Sequence, residues 1–253
     1  MTPVLHFTRA VYVLGVGLTF GTGIGLFAFP GRTPDYWAWT IKAPLTAAFF
    51  GAGYIGAAVS LALAARTREW ERTRVVAVAA LTLTSLTLWA TLRDTGRFAF
   101  GDGGLPAAVA WIWLAVYIAL PPLLLVAFVL QERAAGTRDG ARELPALPAT
   151  RVCIGGAGAA LAALGLALVA GWDRLILHWP WPLPPLPAHV LGAWLCTFAA
   201  AFLWFGLRER EWSRVRIGIV PGMISIALDL VAPRPGCPTT FTEALEQPSI
   251  SSA

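Results

Sequence analysis

Charge is what this sequence has least of. Only 13% of its 253 residues are Asp, Glu, Lys or Arg, about half the share of a soluble domain. Apolar residues make up 57%, and the mean hydropathy is +0.66. The chain therefore reads as an integral membrane protein. Its apolar runs are continuous rather than alternating, so the spans are helices and not the strands of a barrel.

Lysine is almost missing. Lys42 stands alone among 19 basic residues. No lysine falls in the last apolar run, which excludes a retinal Schiff base. Cys153, Cys196 and Cys237 show no C-x-x-C or metal spacing, and two of them lie in apolar runs, so a disulfide framework is not expected. Of the histidines only His189 borders a span, which argues against a transmembrane haem. No P-loop, dinucleotide fingerprint, H-E-x-x-H or G-x-S-x-G occurs. Neither a metal nor a cofactor is expected. The net charge of +5 is not a nucleic-acid signature, because the basic residues bracket the apolar runs and form no separate patch.

Present instead is a repeat. Residues 66–74 read R-T-R-E-W-E-R-T-R and residues 208–216 read R-E-R-E-W-S-R-V-R, identical at six of nine positions with an offset of 142. The same offset pairs Arg9 with Arg151, Arg32 with Arg174, Trp37 with Trp179 and Trp39 with Trp181. After a one-residue slip, Pro44 pairs with Pro185 and Gly51 with Gly192. A helix rising ~1.5 Å per residue crosses a ~30 Å core in ~20 residues. Seven runs approach that length: 10–29, 45–65, 75–92, 107–130, 152–171, 187–207 and 217–232. The run 10–29 is too long for a signal peptide, lacks an A-x-A site and has an internal counterpart, so it reads as a retained span.

The expected fold is thus all-α, a polytopic bundle of seven spans. It is a tandem duplication of a four-span unit: residues 1–150, then an incomplete copy over 151–253. Helix 107–130 has no partner in the second copy. Loss of an eighth span by truncation or frameshift would explain this, and so would a natural seven-span form whose tail, 234–253, is disordered. Basic residues divide 13 against 6 between alternate loops. This puts the N-terminus in the cytoplasm. An even number of spans per unit gives both copies one orientation, as in parallel-repeat transporters. The bias toward Arg, Ala, Gly and Pro suggests a GC-rich bacterium, hence a bacterial cytoplasmic membrane.

The string W-P-W-P-L-P-P-L-P-A-H-V-L-G-A-W from Trp179 to Trp194, followed by Glu211 and Trp212, resembles a pattern in uncharacterised multi-pass membrane proteins of high-GC bacteria. The resemblance covers most of the chain except the tail. That family has no assigned chemistry, so the resemblance implies the fold alone.

Several residues could carry function. Trp37, Trp39, Trp179 and Trp181 read as an interfacial aromatic belt, or as a wall that stacks a ligand. The segment His178–Pro187 reads as a polyproline-like lid. Arg32 and Arg174 run against the charge bias. They read as interfacial residues paired with Asp35 and Asp173, or as contacts to an anionic substrate. Arg66, Arg68, Arg72, Arg74, Arg208, Arg210, Arg214 and Arg216 set orientation and could bind anionic lipid headgroups. Asp229 is the one carboxylate inside a predicted span, close to its outer end. Gly17, Gly21 and Gly25 form overlapping G-x-x-x-G motifs, which suggests that 10–29 and 152–171 line the contact between the halves or a dimer seam. The expected role is a non-catalytic accessory component that interacts with membrane lipids, a second copy or a protein partner. The alternatives are a small-molecule or lipid transporter with its site between the repeats, and a membrane enzyme acting on a lipid-linked substrate.

Overall fold

The computed structural model describes residues 2–135, 147–209 and 216–231. They are helical throughout, apart from loops and one isolated bridge between Pro3 and Glu69. The helices are α1 (His6–Ala28), α2 (Thr33–Tyr36), α3 (Pro44–Arg66), α4 (Trp70–Arg93), α5 (Gly104–Ala135), α6 (Pro148–Ala170), α7 (Asp173–Leu177), α8 (Pro185–Leu207) and α9 (Arg216–Val231). Six of them, α1, α3, α4, α5, α6 and α8, are long and apolar enough to cross a membrane. The seventh expected span is α9, whose 16 residues reach only ~24 Å at ~1.5 Å per residue. Arg210, Arg214 and the tail 234–253 lie outside the described residues, as does the side chain of Arg216.

Proline and glycine set the helix ends. Pro44, Pro148 and Pro185 begin their helices, where a missing N–H costs nothing and a fixed φ helps. Helix α8 therefore takes in Pro185 and Pro187, and the expected polyproline-like lid shrinks to 179–184. Helix α6 stops at Gly171, which has φ 76°. There Gly171 N–H donates to Leu168 O and Trp172 N–H to Ala167 O, each at 3.0 Å, the Schellman arrangement. Helix α5 continues through Pro121 and Pro122 and exceeds its expected range at both ends.

The most extensive packing joins α1 to α3 and α6 to α8. Both seams depend on glycine. A β-carbon on Gly51 would lie 2.5 Å from Phe27 N, and one on Gly165 would lie 2.9 Å from Cys196 N. The expected G-x-x-x-G seam is displaced: Gly17 and Gly21 have nothing within 4 Å, while Gly15 and Gly23 face α3. The expected contact of 10–29 with 152–171 is replaced by α3 against α9 and α4 against α8. Without a hydrophobic drive in lipid, helices pair where backbones can approach, and Gly23 and Gly51 allow that.

One end of the bundle is tied to the N-terminal segment. Val4 N–H donates to Arg68 O and Trp70 N–H to Thr2 O, both at 2.9 Å. Buried Gln131 accepts from Leu5 N–H at 2.9 Å and donates to Pro3 O at 2.9 Å. At the other end Tyr36 locks α2 to α1, its hydroxyl 2.8 Å from Gly25 O and 3.1 Å from Phe29 O. Burial pushes that phenol up to about 12, so it remains a donor.

Candidate functional site

A cavity of about 210 Å³ lies within the bundle, walled by α1, α3, α4, α5, α8 and α9. At the N-terminal end α1 meets α5 through Val11, Leu124 and Ala127. At the opposite end Trp37 packs edge-on against Trp113, with ring centroids 5.4 Å apart. Between these seals the wall comprises Gly15, Leu18, Thr19 and Thr22 of α1 and Ile112, Val116 and Leu120 of α5. Small side chains on α1 and a 60% exposed Ile112 leave the cavity open sideways.

The polar atoms of the wall are few and mostly engaged. Thr19, Thr84 and Thr197 donate to the carbonyls of Gly15, Ala80 and Ala193 at 2.7–2.8 Å, one turn back on their own helices. The hydroxyls of Tyr54 and Tyr117 bond each other at 2.6 Å. Ser225 donates to Ala52 O at 3.2 Å. The indole N–H groups of Trp37 and Trp194 are buried here without a partner. The wall thus offers a solute a few donors set in mostly apolar surface, which suits a hydrocarbon chain.

Trp37 and Trp39 are not belt residues. They are 6% and 3% exposed, with centroids 5.6 Å apart; both pack edge-on against Trp113, and Trp39 also meets Phe98. Their segment is held inward by Ala99 N–H donating to Ala38 O at 2.9 Å. Trp37 lines the cavity and Trp39 stands behind it. Trp179 and Trp181 are half-buried, their rings 5.5 Å apart. Trp181 Nε1–H donates to Thr46 Oγ1 at 2.8 Å, joining the second W-x-W segment to the start of α3. No ring contact links the two tryptophan pairs among the described residues.

Arg32 forms the expected pair with Asp35 at 3.1 Å, at 72% and 60% side-chain exposure. So exposed a pair adds little stability. Arg174 makes no ion pair among the described residues, and its carbonyl accepts from His178 Nδ1–H at 2.7 Å. Neither arginine lines the cavity. In the first R-x-R-E-W segment the tryptophan lies inside the bundle. Trp70 is fully buried, with Nε1–H donating to Glu132 at 2.6 Å. The N-terminal segment and the end of α5 cover it. Arg72 pairs with Glu69 at 2.5 Å and Arg74 with Glu132 at 2.6 Å, while Arg66 and Arg68 are exposed. Arg208 is exposed, its guanidinium 5.8 Å from the Trp204 ring. Asp229 is half-buried, and its Oδ1 is buried without a hydrogen-bond partner rather than solvated.

Sequence reasoning missed one cluster. His189 Nδ1–H donates to Asp94 Oδ2 at 2.5 Å. Arg97 Nε lies 3.3 Å from Asp94 Oδ1, and Trp89 stands edge-on to the imidazole at 5.5 Å. Asp94 and His189 are 95 positions apart, one just past the end of α4 and the other on α8. The signal available was that both flank the W-x-W end of their spans.

No protein-family model, curated protein or solved structure matches this chain.

Proposed function

We propose that this chain is a non-catalytic protein of the bacterial cytoplasmic membrane that holds the tail of one membrane lipid in its lateral cavity. The observation that supports this is the largely apolar wall, in which most hydroxyls are already bonded to backbone carbonyls or to each other. A volume of about 210 Å³ falls below the ~300–1,000 Å³ of pockets for whole small molecules. It suits a segment of acyl or isoprenoid chain entering between α1 and α5, with the headgroup left at the interface. Exposed Arg66, Arg68 and Arg208 would then favour anionic lipids around the protein, at ~1 kcal/mol per basic residue.

The arrangement is further read as a tandem duplication with the N-terminus in the cytoplasm and α9 as a short seventh crossing. Two features favour it. The seams α1/α3 and α6/α8 correspond under the offset, as do the cross-pairings α3/α9 and α8/α4. Glycine contacts correspond as well, Gly23 and Gly51 answering to Gly165 and Gly192. A second reading, a lipid transporter, is favoured by one observation: the cavity wall draws Tyr54 and Tyr117 from the first half and Trp194 and Ser225 from the second.

Native mass spectrometry of gently purified protein tests the main reading. One lipid per chain is expected, and Val116→Trp, which fills the opening, should remove it. Equal lipid occupancy in a folded Val116→Trp variant would sink the proposal. Movement of a labelled lipid between leaflets of reconstituted vesicles, abolished by the same substitution, would favour transport.

A further inference from the structure

We infer that Arg93, His189 and Gly171 form a seat for a phosphomonoester group at the W-x-W end of the bundle, separate from the cavity. Arg93 is the last residue of α4, Gly171 caps α6, and His189 lies near the start of α8. All three therefore sit at one end of their spans. A β-carbon built on Gly171 would lie 3.4 Å from His189 Nε2 and 3.6 Å from Arg93 Nη2. Two nitrogens thus converge on a space that the glycine leaves open.

His189 is only 3% exposed, and Nε2 has no hydrogen-bond partner among the described residues. That nitrogen is not among the fully buried unpartnered atoms, so it is open to a ligand. The carboxylate beside it is already engaged: Asp94 Oδ2 takes the Nδ1 proton and Asp94 Oδ1 faces Arg97. Arg93 lies 5.0 Å above the Trp89 ring and has no carboxylate partner among the described residues. Positive charge and an open nitrogen therefore face the seat, and the neighbouring Asp94 carboxylate is taken up by His189 Nδ1–H and Arg97.

The chemistry of Nε2 narrows the ligand. With Nδ1–H committed to Asp94, neutral imidazole presents a lone pair at Nε2. The ligand must bring a proton to that contact or leave Nε2 to take one, while offering an oxyanion to arginine. A phosphomonoester does both, since its second ionisation lies near pH 6. One proton then occupies the N–O contact whichever atom formally owns it. A phosphodiester headgroup has no such proton, so it bonds Nε2 only if the imidazole first takes a proton from elsewhere.

The full chain in phosphatidylcholine nanodiscs doped with phosphatidic acid or with phosphatidylglycerol tests this, because both dopants are anionic and only one is a monoester. Native mass spectrometry should show phosphatidic acid retained in preference. Arg93→Gln and His189→Gln should each reduce that preference about tenfold or more, the loss of one charged hydrogen bond. Arg93→Lys should keep part of it. Glycerol phosphate added in solution identifies the source. If it displaces the lipid, a soluble monoester is the ligand, and if it does not, the seat reads a lipid headgroup. Equal retention of the two dopants by the wild type would overturn the inference, and so would an unchanged preference in both Gln variants. Should His189→Gln melt early, Arg93→Gln changes an exposed side chain and decides the matter alone.

Discussion

Gly165 and Gly192 bring α6 and α8 into backbone contact: a β-carbon on Gly192 would lie 2.7 Å from the carbonyl oxygen of Gly165. No side chain can yield there, so the two helix backbones would have to part. Gly192→Ala should therefore destabilise the protein by ~1–3 kcal/mol, the usual cost of overpacking. Gly17→Ala adds the same methyl where nothing lies within 4 Å. It should leave stability unchanged or raise it slightly, since alanine favours helix. Thermal unfolding of the two variants in one detergent checks the contrast. Equal melting temperatures would contradict the packing described.

Tyr54 and Tyr117 meet from α3 and α5 with both hydroxyls buried. Tyr54→Phe strands the Tyr117 hydroxyl in an apolar wall and should cost ~1–3 kcal/mol. The double change Tyr54→Phe with Tyr117→Phe removes both groups and should cost less than the sum of the single changes. Lipid retention should survive in all three, because the tail needs area and not these hydroxyls. A double-mutant cycle measured by unfolding in detergent gives the coupling. Strictly additive losses would mean that the bond contributes nothing.

Hydropathy made the spans legible, because a lipid-facing run must be long and uncharged whatever its neighbours do. It could not say which tryptophans face lipid. Trp37, Trp39 and Trp70 are as hydrophobic as Trp111 and Trp172, yet the first three are buried and the last two are 58% exposed. Only the inward fold of 37–39 and the cover of the N-terminal segment decide that, and both are non-local. The glycine spacing of α1 was visible, but its phase was not: 17, 21 and 25 looked like the seam, while 15 and 23 form it. For the Asp94–His189 pair the sequence offered only a shared position at the W-x-W end of two spans. Its members come from α4 and α8, and nothing local predicts that these helices pack together.

Gln131 fastens the N-terminal segment to the end of α5. Its amide accepts from Leu5 N–H and donates to Pro3 O, with Thr8 Oγ1 at 3.3 Å. Gln131→Leu keeps the volume but leaves buried backbone groups unpaired, at ~1–3 kcal/mol. Hydrogen exchange at residues 2–5 should accelerate in this variant, and exchange across α6 and α8 should not change. Unaltered protection at the N-terminus would show that the bridge to Glu69 and the bonds to 68–70 suffice on their own.

The proposed orientation rests on charge. The R-x-R-E-W end bears exposed Arg66, Arg68 and Arg208, and the bias of basic residues assigns such an end to the cytoplasm. In a background freed of Cys153, Cys196 and Cys237, Arg68→Cys and Gly96→Cys place single thiols at opposite ends of α4. Both sites tolerate the change. The pairing at 68 uses the backbone carbonyl alone, and nothing lies within 4 Å of a side chain at 96. A membrane-impermeant maleimide should label position 96 in intact cells and position 68 only after permeabilisation. The reverse pattern would put the arginines on the outer surface and the W-x-W end, with its Arg93–His189 seat, in the cytoplasm. The seat would then draw its phosphomonoester from the inner leaflet or the cytosol, so this labelling also fixes the compartment in which that ligand is to be sought.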